Sequence, residues 1–212
     1  MKKTSGKTVK AKERAGGKAR SRSGSVSAVF LVGFMGAGKT SVGRALGERL
    51  NWAFEDLDDR IERHSGRTVA EIFRDAGEAE FRRAEHKALR RVLDELGSGA
   101  VKVVALGGGA FVQEKNAALL KAARVAIVFL DASVDQLWQR CCDQARAAGT
   151  QRPLLQDRDQ FLRLYETRRK SYSKASHKVQ TGKRSVEAIA AGIAKQLGLK
   201  RIAVRKEQGE VE

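Results

Sequence analysis

Residues 33–40 read GFMGAGKT, between the apolar segment SAVFLV and the segment SVGRALGERL, whose apolar residues recur with helical spacing. The eight residues fit the pattern G-x-x-x-x-G-K-[ST], and a strand before the loop with a helix after it is the context that this pattern requires. A glycine turn that merely began a helix would not require lysine and threonine at these two positions. The stretch therefore predicts a loop that binds the phosphates of a nucleotide.

The chemistry of phosphate binding accounts for each residue type in this loop. Glycines let the backbone wrap closely around phosphate oxygens with its N–H groups pointing inward, and the following helix adds the positive end of its dipole. Lys39 would reach the β- and γ-phosphates, and the Thr40 hydroxyl could ligate Mg²⁺. We expect ATP to contact consecutive residues of the loop, namely Gly36, Ala37, Gly38, Lys39, Thr40 and Ser41.

Strand-like and helix-like segments alternate along the rest of the chain. Strand candidates are residues 27–32, 52–56, 101–106, 124–130 and 177–180. Amphipathic helical patterns cover residues 40–50, 78–96, 134–141 and 186–197. Continuous apolar strands separated by such helices indicate an α/β fold in which helices cover both faces of a parallel sheet. Ligands of these sheets bind at the carboxyl ends of the strands.

The chain has 212 residues, enough for one full domain, and a formal net charge of +17. Nine lysines and arginines against one acidic residue lie in residues 1–25, a tail without apolar periodicity that we expect to be disordered. Residues 200–212 form a charged C-terminal tail, and about +8 remains for the domain between them, 26–199, which suits a domain that handles polyphosphates. An arm for nucleic acid is the alternative interpretation of the N-terminal tail, but we do not expect a nucleic-acid partner.

Two further features of the sequence favour a cytoplasmic protein. The longest apolar runs, such as VAIVFL, are far shorter than the roughly 18–20 residues that a membrane span needs, and the basic N-terminus has no apolar core behind it. Cys141 and Cys142 are adjacent within a helical pattern, a spacing that rarely gives a disulfide and does not make a metal site. We expect both thiols to be reduced, and we expect no contact with a membrane.

A phosphate loop alone does not distinguish GTPases, motor ATPases and small-molecule kinases. The sequence lacks the N/T-K-x-D motif by which a GTPase binds guanine. A motor ATPase needs a strand that ends in an acidic residue, and Asp131 in AIVFLD is the candidate. We interpret either Asp131 or Ser133 as the N-cap of the next helix instead, so the small-molecule kinase remains.

Paired carboxylates follow the second predicted strand. Asp56 and Asp58 are two residues apart in FEDLDD, so at a strand end both would point the same way, toward Lys39. One carboxylate could then act on Mg²⁺ through water, and the other could hold an acceptor hydroxyl and take its proton. The alternative is an acidic helix start, since Asp58 and Asp59 precede RIERHSG, and both interpretations stay open on these residues alone.

Two more segments indicate a site for an anionic acceptor. Arg82 and Glu85 in EFRRAE share a helix face, so Glu85 would hold Arg82, whose planar guanidinium suits bidentate capture of a carboxylate. Three glycines in VVALGGGAF leave the third strand and would give a backbone surface that a flat ligand approaches closely. A triple glycine could also be only a loop, but its place beside the phosphate loop favours a site.

Taken together, these segments resemble the shikimate kinase family, from about residue 28 to 198. The resemblance rests on GFMGAGKTSVG, FEDLDDRIE with SGRTVAEIF, GEAEFRRAE, LGGG and RPLL. It implies a nucleoside-monophosphate-kinase-like fold with a five-stranded parallel sheet and a mobile lid. It also implies phosphorylation of the 3-hydroxyl of shikimate by ATP, in aromatic amino acid biosynthesis. Asp58, Arg82 and Gly108 would bind shikimate, with Asp58 at its hydroxyls and Arg82 at its carboxylate.

The same resemblance assigns three more arginines. AAGTQRPLL matches the family's lid, about residues 143–157, with Arg152 reaching the phosphates as charge shifts in the transition state. Arg168 in YETRRKSY would be the second arginine on the shikimate carboxylate. Arg184 in VQTGKRS would contact the nucleotide from the adenine side.

The chain departs from the family pattern in two places. The lid commonly carries an arginine seven residues before that of RPLL, but Ala145 occupies this position, with Arg146 beside it. The family's R-x-P-L-Y has Pro-Leu before the tyrosine, where this chain has Lys170 and Ser171 before Tyr172. The adenine contact and the second carboxylate contact therefore rest on fewer matching residues.

The sequence thus predicts a monomeric kinase of this family, with ATP as co-substrate and one Mg²⁺ per subunit. The catalytic residues would be Lys39, Asp58 and Arg152, and the metal would be served by Thr40 and Asp56. One rival is another small-molecule kinase of the same fold, such as a gluconate kinase, against which EFRRAE with LGGG argues. A second rival is a non-catalytic domain that senses a small ligand, against which the intact phosphate-loop and acceptor residues argue.

Overall fold

One parallel β-sheet forms the centre of the protein. The computed structural model describes residues 26–149, 155 and 157–202. The strands are β1 (Ala28–Val32), β2 (Ala53–Asp56), β3 (Lys102–Ala105), β4 (Ala126–Asp131) and β5 (His177–Gln180). They lie in the order β2-β3-β1-β4-β5, and every neighbouring pair is parallel. The predicted α/β fold with a five-stranded parallel sheet is confirmed.

Helices of the described residues flank this sheet. They are α1 (Lys39–Leu50), α2 (Leu57–Ser65), α3 (Val69–Gly97), α4 (Glu114–Ala122), α5 (Val134–Ala148), α6 (Arg158–Tyr172) and α7 (Val186–Gln196). A short 3₁₀ turn, Ala110–Val112, lies between β3 and α4. All four helical patterns read from the sequence correspond to helices of the structure.

The central strand β1 reads AVFLV without polar alternation because every one of its residues is buried. Its neighbours β3 and β4 pair with it on either side, so that Leu31 lies opposite both Ala105 and Val128. The edge strand β2 is only partly buried and reads AFED. Because the strands are parallel, the segments that follow β1, β2 and β3 emerge at the same edge of the sheet.

Three helices, α2, α4 and α6, were not among the predicted helical patterns. The two short ones, α2 and α4, have nine residues each, about two and a half turns, so few positions are available to show a helical period. The start of α2 is fixed by Asp56, whose side chain accepts a hydrogen bond from the Asp58 N–H. The last residue of β2 is therefore also the N-cap of the next helix.

The long helix α3 begins earlier than its periodicity predicts. Thr68 forms a capping box with Glu71, and the helix starts at Val69. Gly77 interrupts the helical backbone with φ 76° and ψ 173°. The segment after this break corresponds to the helix predicted over 78–96.

The start of α5 decides between the two candidate caps. Ser133 is the N-cap, since its hydroxyl accepts from the Gln136 N–H at 3.4 Å. Asp131 is buried at the end of β4, and its carboxylate forms ion pairs with Lys178 at 2.8 Å and Arg169 at 3.3 Å. Burial alone would raise the pKa of Asp131, but the two cations hold it below its ordinary value. Asp131 is therefore engaged in ion pairs at this strand end.

The beginning of the C-terminal tail contacts the domain. The Ile202 N–H donates to the Leu50 carbonyl at 2.9 Å, and Asn51 Nδ2 donates to the Ile202 carbonyl at 3.2 Å. The rest of this tail and the N-terminal tail lie outside the described residues. In the part of the chain that the structure describes, no helix has the length and apolar character needed to cross a membrane.

Candidate active site

The predicted phosphate loop joins β1 to α1 and packs against β4 and α5. A Cβ atom on Gly33 would lie 2.8 Å from the Leu130 carbonyl oxygen, and one on Gly36 would lie 2.8 Å from the Leu137 carbonyl oxygen. Both glycines also have positive φ, 148° and 76°. Glycine is required at these two positions because a side chain would collide with backbone and strain the turn.

Lys39, the first residue of α1, folds its side chain back over the loop. Its Nζ donates to the carbonyls of Gly33 at 3.0 Å and Phe34 at 3.2 Å. Burial lowers the pKa of Lys39, while the nearby carboxylates of Asp58 and Asp56 act to raise it. The structure therefore brings Lys39 together with the two predicted carboxylates.

Thr40 and Asp56 meet directly beside the loop. Thr40 Oγ1 donates to Asp56 Oδ2 at 2.8 Å, and Asp56 Oδ1 accepts from the Asp58 N–H at 3.1 Å. Of the two interpretations left open, the strand end is wrong for Asp58, because β2 ends at Asp56 and Asp58 lies in the first turn of α2. The helix-start interpretation describes the local structure correctly, yet the turn still carries the Asp58 carboxylate to the loop.

The Asp58 carboxylate lies against the first glycine of the LGGG segment. A Cβ atom on Gly107 would lie 2.6 Å from Asp58 Oδ1, and this oxygen is buried without a hydrogen-bond partner among the described residues. Burial and the charge of Asp56 raise the pKa of Asp58 to about 6, although Lys39 opposes the shift. A carboxylate with a pKa this close to neutrality is suited to accept a proton from a bound hydroxyl group.

Arg82 is held by two glutamates of α3. Its Nη1 donates to the two Glu85 oxygens at 3.1 and 3.2 Å, and its Nη2 donates to Glu78 at 2.9 Å. Glu85 is fully buried, and burial raises its pKa to about 7 although Arg82 opposes the shift. The guanidinium rests on backbone, since a Cβ atom on Gly109 would lie 2.5 Å from Arg82 Nη2. The contact between Arg82 and Glu85 is present as predicted.

Helix α6 supplies two side chains at the middle glycine. A Cβ atom on Gly108 would lie 3.5 Å from Arg168 Nη1, and the Tyr172 hydroxyl donates to the Gly108 carbonyl. Arg168 also lies over the Phe34 ring, with Cζ 5.9 Å from the ring centroid. Arg168 therefore lies beside the glycine turn, although Lys170 and Ser171 differ from the Pro-Leu of the family pattern.

Each glycine of LGGG thus packs against a different predicted site residue. One carboxylate and two guanidinium groups surround the turn, and the carboxylate also interacts with the ammonium group of the phosphate loop. Guanidinium groups bind carboxylates well, and a carboxylate beside a nucleotide can take a proton from an alcohol. The arrangement is suited to transfer a phosphoryl group to a hydroxyl of a small organic acid.

Two arginines lie near the predicted nucleotide side. Arg184 turns along α7, where its Nη2 donates to the Ala188 carbonyl at 2.9 Å. Arg140 of α5 instead joins two loops: it donates to the Gly36 carbonyl at 3.4 Å and to the Gly182 carbonyl at 2.5 Å. Arg140 therefore connects the phosphate loop to the loop that follows β5.

Sequence reasoning missed Arg140 because it sought an arginine at a fixed distance before RPLL. That distance leads to Ala145, near the end of α5, whereas Arg140 lies 12 residues before Arg152. A search for any arginine in this helix would have found it. The predicted lid falls partly on the last turn of α5, and Arg152 lies outside the described residues.

Comparison with known proteins gives one consistent family. The sequence profile of the family described as shikimate kinase matches residues 35–198. A shikimate kinase of Cereibacter sphaeroides is 40% identical over 172 residues, which are 80% of this chain and 81% of the relative. One of Parasynechococcus marenigrum is 39% identical over 193 residues, 90% of this chain and 91% of the relative. A solved structure, the shikimate kinase from Acinetobacter baumannii in complex with shikimate, has a TM-score of 0.71 and 34% identity and covers 81% of this chain and 93% of its own.

Proposed function

We infer that this chain, which belongs to the shikimate kinase family, transfers the γ-phosphoryl group of ATP to the 3-hydroxyl of shikimate, a step of the shikimate pathway. The products are shikimate 3-phosphate and ADP. The observation that carries this conclusion is the convergence of one carboxylate and two guanidinium groups on the Gly107–Gly109 turn beside the phosphate loop. A kinase for another acceptor and a non-catalytic sensor are less supported, because the named relatives that cover most of the chain are shikimate kinases.

On the nucleotide side, the phosphate loop would hold the triphosphate with its backbone N–H groups. Lys39 would neutralise charge on the β- and γ-phosphates, and Arg152 of the lid would add a second positive charge in the transition state. We also assign Arg140 to the adenine side, a role supported by its bonds to the phosphate loop and to Gly182. For Arg184 to contact the nucleotide, its side chain would have to leave α7.

On the acceptor side, Asp58 would receive the reacting hydroxyl. Its buried Oδ1 has no partner among the described residues, which supports a hydrogen bond from a substrate hydroxyl. As the bond from the hydroxyl oxygen to phosphorus forms, the hydroxyl proton would pass to the Asp58 carboxylate. With a pKa of about 6, Asp58 is mostly ionised at neutral pH and therefore ready to accept that proton.

The carboxylate of shikimate would lie between Arg82 and Arg168. The ion pairs of Arg82 with Glu78 and Glu85 fix the orientation of its planar guanidinium. Arg168 forms no ion pair with a carboxylate among the described residues, so its charge is available to an anionic ligand. Arg82 and Arg168 would bind the shikimate carboxylate from two sides of the glycine turn, and the ring hydroxyls would then point toward Asp58.

The pair formed by Thr40 and Asp56 fits Mg²⁺, which prefers oxygen ligands and keeps several of its water molecules. Both oxygens lie beside the phosphate loop, where the β- and γ-phosphates would supply further ligands. We propose that Thr40 ligates the ion directly and that Asp56 acts through water, with one Mg²⁺ per subunit. When bound, the ion would neutralise charge on the transferred phosphoryl group.

We further propose a monomer that works in the cytoplasm. The motifs that carry the predicted site all lie in this one chain, so the proposed mechanism calls for no residue of a second subunit. The use of ATP supports the cytoplasm, as does the adjacent cysteine pair, which the sequence predicts to be reduced. We assign no nucleic-acid partner.

A coupled assay of ADP release tests the function directly. With ATP and Mg²⁺ present, we expect ADP release only when shikimate is added, and nuclear magnetic resonance should place the new phosphate on the 3-hydroxyl. Gluconate is the control acceptor, and equal turnover with gluconate would reject the proposed substrate. Shikimate binding by calorimetry without turnover would instead favour a ligand-sensing domain.

A further inference from the structure

Behind the glycine turn, a chain of hydrogen bonds joins α3, α4 and the 3₁₀ turn. Asn116 of α4 is buried, with 1% of its surface exposed, and its Nδ2 donates to the Ala110 carbonyl at 3.1 Å. Its Oδ1 lies 2.8 Å from Nδ1 of His86 on α3. Because the amide nitrogen of Asn116 already donates, its oxygen is the acceptor, so His86 Nδ1 carries the proton. We call these two bonds the His86–Asn116 bridge.

Ala110 links the bridge to the glycine turn. It is fully buried, and its N–H donates to the Gly107 carbonyl at 3.0 Å. Its carbonyl accepts from the Gln113 N–H at 3.3 Å as well as from Asn116. The bond from Asn116 therefore fixes Ala110 relative to α4, and with it the preceding residue, Gly109.

Helix α3 carries both ends of this arrangement. Arg82 lies one helical turn before His86, and its guanidinium rests on Gly109. His86 holds Asn116, Asn116 holds Ala110, and the glycine next to Ala110 supports the guanidinium. The contacts therefore close into a ring that returns to α3.

A cavity of about 590 Å³ borders this ring and is lined in part by Arg82, His86 and Asn116. Beside this open space, the two bonds of Asn116 are the side-chain hydrogen bonds that join α4 to α3 and to the 3₁₀ turn among the described residues. A buried polar group that loses its partner costs more than an exposed one, so the bridge should be sensitive to substitution.

We propose that His86 and Asn116 are positioning residues for binding of the shikimate carboxylate, because they keep Gly109 where it supports the Arg82 guanidinium. The proposal rests on the function proposed above for Arg82. Neither bridge residue needs to touch the substrate. Loss of the bridge lets the glycine turn and the guanidinium move apart, while the phosphate loop keeps its own contacts.

Steady-state kinetics with shikimate and ATP varied separately test the bridge. His86→Ala leaves the buried Asn116 oxygen without its donor, and Asn116→Ala removes both bonds. We expect KM for shikimate to rise about 5-fold in the first variant and about 10-fold in the second, the range for loss of buried hydrogen bonds, with KM for ATP unchanged. His86→Asn places an uncharged N–H donor one bond beyond Cγ, where Nδ1 of the histidine lies, and should return KM to within about 2-fold of the wild-type value.

The asparagine variant of His86 distinguishes a positioning role of this side chain from an effect of its charge. If His86→Ala acted by removing positive charge near Arg82, the uncharged asparagine at position 86 would not restore binding. His64→Ala is the matched control, because His64 is exposed and its Nδ1 bonds to the Arg60 carbonyl of its own helix. We expect this control to leave both KM values unchanged. Thermal unfolding of every variant identifies any that are poorly folded, and the two His86 variants keep the test decisive if Asn116→Ala does not fold.

Two results would overturn the proposal: equal rises in KM for shikimate and ATP, or an unchanged KM for shikimate in folded His86→Ala. Arg82→Ala is measured in parallel to separate this inference from the function on which it rests. An Arg82→Ala variant with normal KM for shikimate would reject the proposed role of Arg82 itself. A defective Arg82→Ala variant beside normal bridge variants would reject only the bridge.

Discussion

The two halves of the active site are built in different ways. The phosphate-binding part of the nucleotide half is one continuous segment, residues 33–40, and Lys39 hydrogen-bonds to carbonyls within that segment. The acceptor half is assembled from separate elements: Asp58 from α2, Arg82 from α3, the Gly107–Gly109 turn after β3 and Arg168 from α6. Phosphate can be held by the backbone of a single turn, whereas an organic acid needs side chains of different charge around it. The chemistry of each ligand thus explains why one half is local and the other is not.

The two halves meet at Phe34, inside the phosphate loop. Its ring packs edge-on against Phe161, with centroids 5.0 Å apart, and against Tyr165, with centroids 5.6 Å apart. Arg168 lies over the same ring. The loop that we assign to the nucleotide therefore also orients α6 and its acceptor-side arginine. The two halves differ in construction, but Phe34 contacts both of them.

The largest effect should come from the nucleotide half. Lys39→Ala removes the positive charge at the β- and γ-phosphates, and we expect kcat to fall by about 10³–10⁵-fold, as when other charge partners of phosphoryl transfer are removed. The domain should stay folded, because among the described residues the hydrogen bonds of the Lys39 side chain go to the loop carbonyls alone. Turnover assays measure kcat, and circular dichroism shows whether the variant is folded. A near-normal kcat would show that Lys39 does not neutralise the phosphates.

Asp58→Asn is the strongest test of the acceptor half. It keeps the shape and removes the base, so kcat should fall by about 10²–10⁴-fold, the range for general-base catalysis. In the wild-type enzyme, kcat/KM should decline as the pH falls below about 6, where Asp58 takes up a proton. Normal kcat in the variant would mean that Asp58 only begins α2 and that the acceptor hydroxyl binds elsewhere.

The same substitution should separate activity from stability. The folded-state pKa of Asp58, about 6, lies above its ordinary value of 3.8, so the folded state binds the proton more tightly. The contribution of Asp58 to stability is therefore present at pH 4 and is lost as the pH rises toward 6. At pH 8 the buried charge costs up to about 3 kcal/mol, and Asp58→Asn should unfold at a higher temperature than wild type. Melting curves at pH 4 and pH 8 check this, and equal differences at both pH values would contradict it.

Arg82→Ala should damage the acceptor half alone. Loss of a charged bidentate contact should raise KM for shikimate by roughly 10- to 100-fold while KM for ATP changes little. Arg83→Ala is the matched control, since this neighbouring arginine is exposed and pairs with Glu80. An equal rise in KM for ATP would mean that Arg82 serves the nucleotide and that the division into two halves is wrong.

Arg140→Ala should damage the nucleotide half alone, and by a smaller factor than Arg82→Ala damages the acceptor half. Its side chain bridges the Gly36 and Gly182 carbonyls, so we expect KM for ATP to rise about 3- to 10-fold with KM for shikimate unchanged. Arg146→Ala is the control, because this exposed arginine of α5 pairs only with Asp143 among the described residues. A rise confined to shikimate would place Arg140 on the acceptor side.

Deletion of residues 1–25 should have the smallest effect. The segment lacks apolar periodicity and cannot cover a core face, so the melting temperature and kcat/KM should stay near their wild-type values. Differential scanning calorimetry and kinetics of the shortened chain check this. A large loss in either quantity would show that the tail packs on the domain or closes over one half of the site.

Much of the fold could be predicted because its signals are local. The buried strand β1 and the long helix segments show their period within a few residues. The nine-residue helices α2 and α4 could not be predicted with the same rules, since two turns give too few repeats. For that reason the sequence could not decide between a strand end and a helix start for Asp58, which lies in the first turn of α2.

The sequence by itself determined the phosphate loop and the alternation of strands and helices, because each depends on residues that are neighbours in the chain. Tertiary structure decided the acceptor half, where Tyr172 bonds to a glycine carbonyl 64 positions away, and His86 bonds to Asn116 across 30 positions. It also decided that Arg140 reaches Gly182, 42 positions away. Such contacts depend on how whole helices pack against the sheet, and no local period or spacing records the distance between two side chains on different helices. A motif can therefore identify a backbone site within eight residues, whereas a pocket of side chains exists only once the chain has folded.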